Sequence, residues 1–224
     1  MAAPAPTLAH ELPADWRARL RRRVLAAPDH RHEHCRPAGM AGESATVRAR
    51  LRAGWPAPLK IAAVLVPIVD RVAAPTLLLT VRASHLRRHA GQISFPGGRL
   101  EASDADVAAA AVRETEEEIG VAGAAIEPIG FLADHVVQTG YRITPVVALL
   151  QPGLTVQPNG TEVAEVFELP LAYVLSAANY RVGRRVIGGV DVDTWELSFG
   201  QYNIWGATAG ILANLREVFA AEAD

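Results

Sequence analysis

Three glutamates stand close together in one short stretch of this chain, with a spacing suited to metal-dependent chemistry. Glu114, Glu117 and Glu118 follow one another at intervals that place their carboxylates on one face of a helix, whereas Glu116 points away. Like charges this close repel each other and raise carboxylate pKa values, and a hard cation relieves both effects. Mg²⁺ or Mn²⁺ accepts such oxygen ligands and leaves positions for water and substrate phosphates. We therefore expect these glutamates to be metal ligands at a catalytic site, and the alternative is a solvated acidic helix end.

A capped helix is predicted to present these acids. Ser103 is the expected N-cap, and Asp106 returns the bond three positions later. Gly120 supplies a left-handed stop, so the helix is expected to run from about residue 104 to residue 119. Small and apolar residues recur at helical spacing on another face: Ala108, Ala111, Val112, Thr115 and Ile119. This thin face predicts close packing of the helix on a sheet.

A tight turn with the sequence Phe-Pro-Gly-Gly, residues 95–98, precedes this helix. Its glycines allow the backbone to approach a ligand closely, and Arg113 is placed to brace the turn or to pair with Glu117. Four cationic or titratable groups come directly before the turn: Arg82, Arg87, Arg88 and His89. Beside a proposed phosphate site, these groups favour anion binding over ordinary solvated charge.

Two adjoining motifs in this region resemble known signatures. The first is the Nudix box of hydrolases that cleave a pyrophosphate linked to another moiety, and the matching run is Gly98-x5-Asp104-x8-Arg113-Glu114-Thr115-x-Glu117-Glu118-x-Gly120-Val121. The general pattern has a glutamate in place of Asp104 and one fewer residue between that acid and Arg113. The second resembles the extra signature of the coenzyme A pyrophosphatase branch, and it reads Leu78-Leu79-Thr80-Val81-Arg82-Ala83-x3-Arg87-x3-Gly91-x3-Phe95-Pro96-Gly97-Gly98.

The resemblance implies both a fold and a reaction. The expected fold class is α/β, a Nudix-type α/β/α sandwich with a mixed curved sheet, plus an N-terminal helical extension. The expected reaction is metal-dependent hydrolysis of the pyrophosphate bond of coenzyme A or its derivatives, giving 4′-phosphopantetheine and adenosine 3′,5′-bisphosphate. Glu114 and Glu118 are the first-choice ligands for Mg²⁺ or Mn²⁺. Glu117 is expected to join them or to bind a second ion, and Arg113 is expected to orient the carboxylates.

The resemblance also indicates which residues contact the substrate. They are Arg82, Arg87, Arg88, Gly91, Phe95, Gly97, Gly98 and Glu162. Arg87 and Arg88 are expected to hold the 3′-phosphate of coenzyme A. Glu162 lies in a loop similar in position to a glutamate-bearing loop of this branch, and it is a candidate for ordering a water or a second metal. His135 is a candidate base, although a hydrogen-bonded loop histidine is the simpler interpretation.

Two other functions remain open. The first is hydrolysis of another nucleoside diphosphate derivative, because the Nudix box specifies a pyrophosphate and a metal but no leaving group. The upstream signature favours coenzyme A or acyl-CoA over that alternative. The second is a non-catalytic Nudix module that senses a nucleotide. Such a module is expected to lack one or more of the box glutamates, and this chain has all three.

Composition limits the class of protein. The 224 residues, half of them hydrophobic, suffice for one sizeable core. A net charge of −2 gives no polyanion-binding surface, so no nucleic-acid partner is expected. Cys35 is the single cysteine, which excludes an intrachain disulfide and fits a reducing compartment. No membrane span or signal core is recognised. We expect a cytoplasmic bacterial protein, either a monomer or a homodimer.

The character of the sequence changes near residue 58. Residues 1–57 are expected to form an extension, disordered over 1–13 and with one helix through Trp16 and Leu20. Residues 58–224 are expected to form the Nudix domain. Its strands are predicted at 61–69, 76–81, 125–132, 143–150 and 163–168, with a hairpin of 181–187 and 194–199. A short helix is predicted from residue 169, and a second helix, over 208–221, is expected to cover the sheet face opposite the acidic helix.

Two further patterns have a simple and a functional interpretation. The histidine-rich run of residues 30–35 has the alternating spacing of a surface loop, and no second ligand pair follows it to make a zinc site. Trp205 lies just before the last predicted helix. It is either an aromatic side chain near the substrate or an anchor in the core.

Overall fold

The structure of the protein is a computed structural model that describes residues 12–42, 44–72, 74–86 and 89–220. Its helices within these ranges are α1 (Trp16–Arg23), α2 (Ala45–Ala53), α3 (Val107–Ile119), α4 (Leu171–Leu175) and α5 (Gly206–Ala220). Its strands there are β1 (Arg36–Pro37), β2 (Lys60–Val69), β3 (Thr76–Arg82), β4 (Ile93–Ser94), β5 (Gly97–Arg99), β6 (Ile126–Phe131), β7 (His135–Val137), β8 (Tyr141–Leu150), β9 (Val163–Pro170), β10 (Tyr180–Ile187), β11 (Val190–Phe199) and β12 (Tyr202–Trp205). None of the helices in the described ranges is long and apolar enough to cross a membrane.

A mixed sheet forms the centre of the molecule. β2 and β8 pair in parallel along their whole length, from Lys60 opposite Tyr141 to Val69 opposite Leu150. The other side of β2 is shared by β3 at one end and β5 at the other. β6 and β7 pair antiparallel with β8, and β1 joins β7 in parallel. The nearly continuous apolar sequences of β2 and β8 fit strands that are covered on both faces.

Alternate residues of the central strands contribute to two separate cores. The core on the α3 side includes Ala63, Leu65, Leu78, Val146, Ala148 and Leu150. The core on the α5 side includes Val66, Ile68, Leu77, Leu79, Val147 and Leu149. Because successive side chains of a strand point to opposite faces, α3 and α5 cover opposite faces of the sheet. The predicted α/β/α arrangement is confirmed, including the position of the last helix.

The acidic helix α3 begins later than predicted. Asp106, and not Ser103, is its N-cap, and it accepts a hydrogen bond from the Ala109 N–H at 2.8 Å. Gly120 ends the helix with φ 69°, as predicted. The start at Asp104 is wrong because the Asp104 carboxylate accepts from the Glu101 N–H at 2.8 Å in the turn before the helix.

The N-terminal extension packs closely on the rest of the chain. Trp16 and Leu20 of α1 lie in the core on the α5 side, and Arg17 Nε donates to Asp70 Oδ1 at 2.6 Å. The structure adds α2 to the one helix predicted here, and the Ser44 hydroxyl caps it by accepting from the Val47 N–H at 3.3 Å. Most of the segment predicted to be disordered, residues 1–11, lies outside the described residues. The boundary at residues 57 and 58 stays a prediction.

A second, three-stranded sheet is formed by β10, β11 and β12, and it includes the predicted hairpin. Met40 of the extension forms an isolated bridge to Thr194 of β11, and the Trp195 N–H donates to the Gly39 carbonyl at 2.9 Å. The hairpin is therefore attached directly to the segment that follows β1.

Candidate active site

The glycine turn before α3 lies directly against the central strand. Gly97 has φ 154°, and a Cβ built there would lie 2.3 Å from the Ala63 carbonyl oxygen. Gly97 and Gly98 pair with Val64 and Ala63 of β2. Glycine alone permits this conformation and this approach, so β5 presents bare backbone beside α3.

Two of the predicted glutamates lie on this turn. A Cβ added to Gly98 would lie 2.2 Å from Glu114 Oε1, so the Glu114 carboxylate occupies the space that a side chain would fill. The Gly97 N–H donates to Glu118 Oε2 at 3.3 Å. Arg82 Nη1 lies 3.9 Å from Glu118 Oε1. Two carboxylates, a glycine backbone and a guanidinium therefore meet in one place.

Burial disfavours negative charge on both of these carboxylates. The Glu118 side chain is 5% exposed, and its burial raises its pKa to about 7 against the opposing effects of the Gly97 N–H and of Arg82. Burial also raises the pKa of Glu114, although the Arg113 guanidinium acts in the opposite direction. This pair of acids consequently has the electrostatic environment that favours a bound cation.

Arg113 connects three carboxylates and one backbone carbonyl. Its Nε and Nη2 donate to the two oxygens of Asp104 at 2.9 and 3.0 Å. Its Nη1 donates to Glu114 Oε1 at 3.1 Å and to Glu117 Oε2 at 3.3 Å. Nη2 also donates to the Arg99 carbonyl at 3.1 Å. This geometry fits the predicted orienting role of Arg113, and it adds Asp104, whose contribution the sequence reasoning did not include.

Glu117 differs from the other two glutamates. Its side chain is 59% exposed, whereas Glu118 is turned toward the sheet. Within the described ranges, no group of three or more histidine, cysteine, aspartate and glutamate side chains is placed to hold a metal ion. Glu114 and Glu118 thus form a pair at the turn, and Glu117 lies at its outer rim.

A cavity of about 470 Å³ begins at this turn. Gly97, Gly98 and Arg82, which contact the paired glutamates, form part of its wall. Its further lining includes the polar residues Gln92, Gln138, Thr139 and Tyr141 and the apolar residues Ala38, Met40, Leu51, Val64, Val136, Ile143 and Ile187. A cavity of this size lies within the range of roughly 300–1,000 Å³ found for small-molecule sites.

Seven of the eight predicted substrate contacts fall into three groups, and the eighth, Glu162, is described below. Those that line the cavity are Arg82, Gly97 and Gly98. Two others do not line it: Phe95 is 3% exposed in the core on the α5 side, and Gly91 donates its N–H to the Arg82 carbonyl at 3.0 Å. The last two lie outside the described residues, so their contact with a 3′-phosphate stays a prediction: Arg87 and Arg88.

Glu162 and His135 occupy very different environments. Glu162 is exposed before β9, and its carbonyl accepts from the Ala83 N–H at 2.8 Å. The negative charge of Glu162 helps to raise the pKa of both paired glutamates. His135 belongs to β7 and not to a loop, is 1% exposed, and is kept neutral because burial lowers its pKa to about 3.

The far part of the cavity wall was missed by the sequence reasoning. Met40 and Leu51 come from the extension and Ile187 from the hairpin, and apolar residues of this kind cannot be distinguished from ordinary core residues in a sequence. Trp205 is 37% exposed and lines the cavity, so its interpretation as a core anchor is wrong. Asp104 did carry a signal, because it occupies the acidic position of the box.

The histidine-rich run lies at the surface, as predicted, except that Cys35 is buried. Two of its three histidines each contact one carboxylate, and His32 packs edge-on against the ring of Trp55. His30 Nδ1 lies 2.8 Å from Asp134 Oδ2, and His34 Nδ1 lies 2.6 Å from Asp29 Oδ2. The His30 contact therefore attaches this run to Asp134, whereas the His34 contact is local to the extension.

Comparisons with known proteins agree with this geometry. The family model described as NUDIX domain matches residues 59–187. The "Uncharacterized Nudix hydrolase NudL" of Escherichia coli O1:K1 / APEC is 46% identical over 154 residues, which are 69% of this chain and 80% of that protein. The same figures hold for NudL of Shigella boydii serotype 18. The crystal structure of RenU, a Nudix hydrolase from M. smegmatis, has a similar fold, with a TM-score of 0.50 at 21% identity over 74% of this chain and 89% of that one. The chain therefore belongs to the Nudix hydrolase family.

Proposed function

We propose that this protein is a metal-dependent pyrophosphohydrolase that cleaves coenzyme A or its derivatives into 4′-phosphopantetheine and adenosine 3′,5′-bisphosphate. The observation that carries the proposal is the meeting of Glu114 and Glu118 with the glycine turn and Arg82 at the start of a ligand-sized cavity. Bare backbone and a guanidinium suit a pyrophosphate, and paired carboxylates suit its counter-cation. Arg82 and the turn also belong to the motif that resembles the coenzyme A pyrophosphatase signature, which supports this choice of substrate.

The paired glutamates fit a divalent cation. Nudix hydrolases generally use a metal such as Mg²⁺ or Mn²⁺. Arg113 and the Gly97 N–H hold the two carboxylates in place, while burial raises both of their pKa values. Glu114 and Glu118 would hold the ion, and Glu117 is placed to assist from the rim. A divalent ion bound there would neutralise charge on the pyrophosphate and lower the pKa of a water.

The residues of the chain itself orient the reactants. Arg113 fixes the Glu114 carboxylate through a guanidinium that Asp104 anchors from the other side. Arg82 offers positive charge to a pyrophosphate oxygen. Glu162, exposed beside the pair, is our candidate for ordering the attacking water.

Product analysis tests the proposal. Purified protein is incubated with Mg²⁺ or Mn²⁺ and with coenzyme A, dephospho-coenzyme A, ADP-ribose or diadenosine tetraphosphate, and the products are identified by mass. We expect the highest kcat/KM on coenzyme A, with the two products named above. A higher kcat/KM on ADP-ribose or on the dinucleotide would overturn the choice of substrate, and absence of turnover on all four would indicate a nucleotide-sensing module.

A pair of matched variants separates the site from the helix that carries it. Glu118→Gln preserves shape but removes one ligand charge, so kcat should fall by orders of magnitude. Glu116→Gln removes the same charge from an exposed position of α3 and should leave kcat unchanged. Near-normal activity of Glu118→Gln at saturating metal would contradict the assigned metal site.

A further inference from the structure

A second, smaller cavity adjoins the cavity of about 470 Å³, which is called the active-site cavity below. The second one, called the side cavity, has a volume of about 140 Å³, and its wall brings together β1, β7, β11, α2 and α5. We propose that the side cavity is a binding site for a small aliphatic monocarboxylate and that its occupant is coupled to the active-site cavity. The side cavity contains none of the proposed metal ligands, so the proposal does not depend on coenzyme A as the substrate.

His135 of β7 is the buried polar group of the side cavity. It is 1% exposed, and neither of its ring nitrogens has a hydrogen-bond partner among the described residues. Burial and the Arg36 charge lower its pKa to about 3, against the effect of Asn214, so the imidazole is neutral and has one N–H donor. Leaving a buried donor without a partner is costly. A ligand oxygen in the cavity can therefore accept from His135 without breaking a hydrogen bond of the described protein.

The charged groups of the wall favour an anion. Arg36 Nη2 donates to Glu217 Oε2 at 2.7 Å, so these two charges compensate each other. Arg48 of α2 is half-buried in the wall, and among the described residues it forms no ion pair. Since His135 is neutral, Arg48 leaves the described wall with an excess of positive charge. A guanidinium pairs well with the oxygens of a carboxylate.

The remaining wall limits the size and polarity of the ligand. Pro37, Met40 and Trp195 contribute apolar and aromatic surface. The volume of about 140 Å³ holds about five groups that each occupy roughly the 30 Å³ of a water molecule. Inorganic phosphate would place more charge and more polar oxygens against this apolar surface, and an ammonium group would meet a carboxylate that Arg36 already binds. A carboxylate of three or four carbons fits the cavity best.

The two cavities share part of their walls. Pro37 and Met40 line both of them. The segment between these residues is held closely against α5, because a Cβ added to Gly210 would lie 2.6 Å from the Gly39 nitrogen. A ligand that moves Pro37 or Met40 in one cavity therefore changes the wall of the other. Coupling of this kind between two binding equilibria acts equally in both directions.

Titration with simple carboxylates tests the site directly. The probes are sodium acetate, propionate, butyrate and octanoate, compared with sodium phosphate and butylammonium chloride at constant ionic strength. Heteronuclear NMR of the His135 imidazole and calorimetry are carried out on the metal-free, full-length protein. We expect propionate and butyrate to bind with a Kd of about 1 mM and to shift the His135 donor nitrogen. No saturable change with either of them at about 100 mM would overturn the proposal, and tighter binding of phosphate would overturn the choice of a carboxylate.

Two variants and one control assign the binding to the named side chains. His135→Phe keeps a ring but removes both nitrogens, and Arg48→Met keeps the aliphatic stem but removes the charge. Each should raise the Kd of butyrate about tenfold, because each removes a donor to the carboxylate. Arg50→Met removes an exposed charge from the same helix and should leave this Kd unchanged. If His135→Phe does not fold, Arg48→Met decides the matter, and a Kd equal to that of Arg50→Met would contradict the proposal.

A second titration measures the coupling between the cavities. Calorimetry in EDTA compares the Kd of coenzyme A with and without saturating butyrate, and we expect a change of about fivefold that Arg48→Met abolishes. An unchanged Kd with butyrate bound would overturn the coupling. Failure of coenzyme A to bind at all would contradict the proposed substrate, whereas the butyrate titration would still decide whether the side cavity is a binding site.

Discussion

The Arg113 guanidinium donates two parallel hydrogen bonds to the Asp104 carboxylate, from Nε at 2.9 Å and from Nη2 at 3.0 Å. The Asp104 side chain is only 4% exposed, and the Arg113 guanidinium holds its pKa below the ordinary value. Bidentate pairing fixes the plane of the guanidinium, so its remaining nitrogen points at Glu114 and Glu117. Asp104 therefore acts on the acid pair indirectly, by positioning Arg113.

Weakening the hydrogen bonds between Arg113 and Asp104 should lower activity without removing any proposed metal ligand. Asp104→Asn removes the charge and one of the two acceptors, and we expect kcat/KM to fall about tenfold to a hundredfold, the usual effect of losing a supporting contact. Arg113→Ala should lower kcat/KM further, because it also removes the hydrogen bond to Glu114. Asp106→Asn is the matched control, since asparagine still caps α3. Equal activity of Asp104→Asn and Asp106→Asn in steady-state kinetics would disprove the positioning role.

Glu118 should destabilise the metal-free protein at high pH. Its folded pKa of about 7 lies above the ordinary value of 4.5, so the folded state binds the extra proton between these values. Stability therefore falls as pH rises from 4.5 to 7 and stays low above 7. Glu118→Gln lacks this titration and should be more stable than the wild-type protein at pH 8, by about 3 kcal/mol.

Thermal and urea unfolding in EDTA across pH 4–9 test whether the stability of the metal-free protein falls with rising pH as predicted. The advantage of Glu118→Gln should disappear toward pH 4, and adding Mg²⁺ to the wild-type protein at pH 8 should reduce the difference. Glu116→Gln should show no comparable gain because Glu116 is exposed. A pH-independent difference would mean that the buried charge is not the cause.

Gly97 should tolerate no side chain. Gly97→Ala places a Cβ 2.3 Å from the Ala63 carbonyl oxygen at a φ of 154°, so we expect a loss of about 3 kcal/mol in the free energy of unfolding. Gly153→Ala is the control, because Gly153 also has a positive φ, of 82°, but an added Cβ meets nothing within 4 Å. Equal losses for the two variants in urea titrations would show that backbone conformation alone matters.

Arg82 should contribute mainly to substrate binding. Arg82→Met keeps the aliphatic stem but removes a charge beside the turn, and kcat/KM on coenzyme A should fall about tenfold to a hundredfold. If the guanidinium binds the pyrophosphate throughout the reaction, most of that change appears in KM. Arg50→Met removes an exposed charge from α2 and serves as the control for net charge. A loss confined to kcat would assign Arg82 to a role beyond binding.

The elements predicted correctly from the sequence are those with a strong local pattern. β2 and β8 are long apolar runs, and α3 and α5 have clear helical periodicity, so their existence follows from burial alone. β1 and β7 are two and three residues long, and their pairing depends on segments far away in the chain. α2 was missed because it is rich in arginine and alanine and buries only Leu51.

In the candidate site, too, the features encoded in one continuous stretch were predicted, whereas those that depend on contacts between distant segments were not. The acid pair and the glycine turn follow from residue types and spacing in one continuous stretch. The late start of α3 does not, because Asp104 is held by Arg113 and the Glu101 N–H instead of entering the helix. Met40, Leu51 and Ile187 line the far part of the cavity, and they come from two segments that meet only in the folded protein, so no local sequence pattern predicts this part of the wall.

The parallel pairing of β2 with β8 has a consequence for how the acid site is assembled. The two strands are about eighty residues apart in the chain, and closing so long a loop costs entropy before the pairing stabilises anything. β5 and α3 lie within that loop, so during synthesis both leave the ribosome before β8 does. One edge of β2 therefore has no hydrogen-bonding partner until β8 has emerged. We therefore expect the acid pair to reach its final geometry late in folding, at a moment set by a strand that contributes no acid to it.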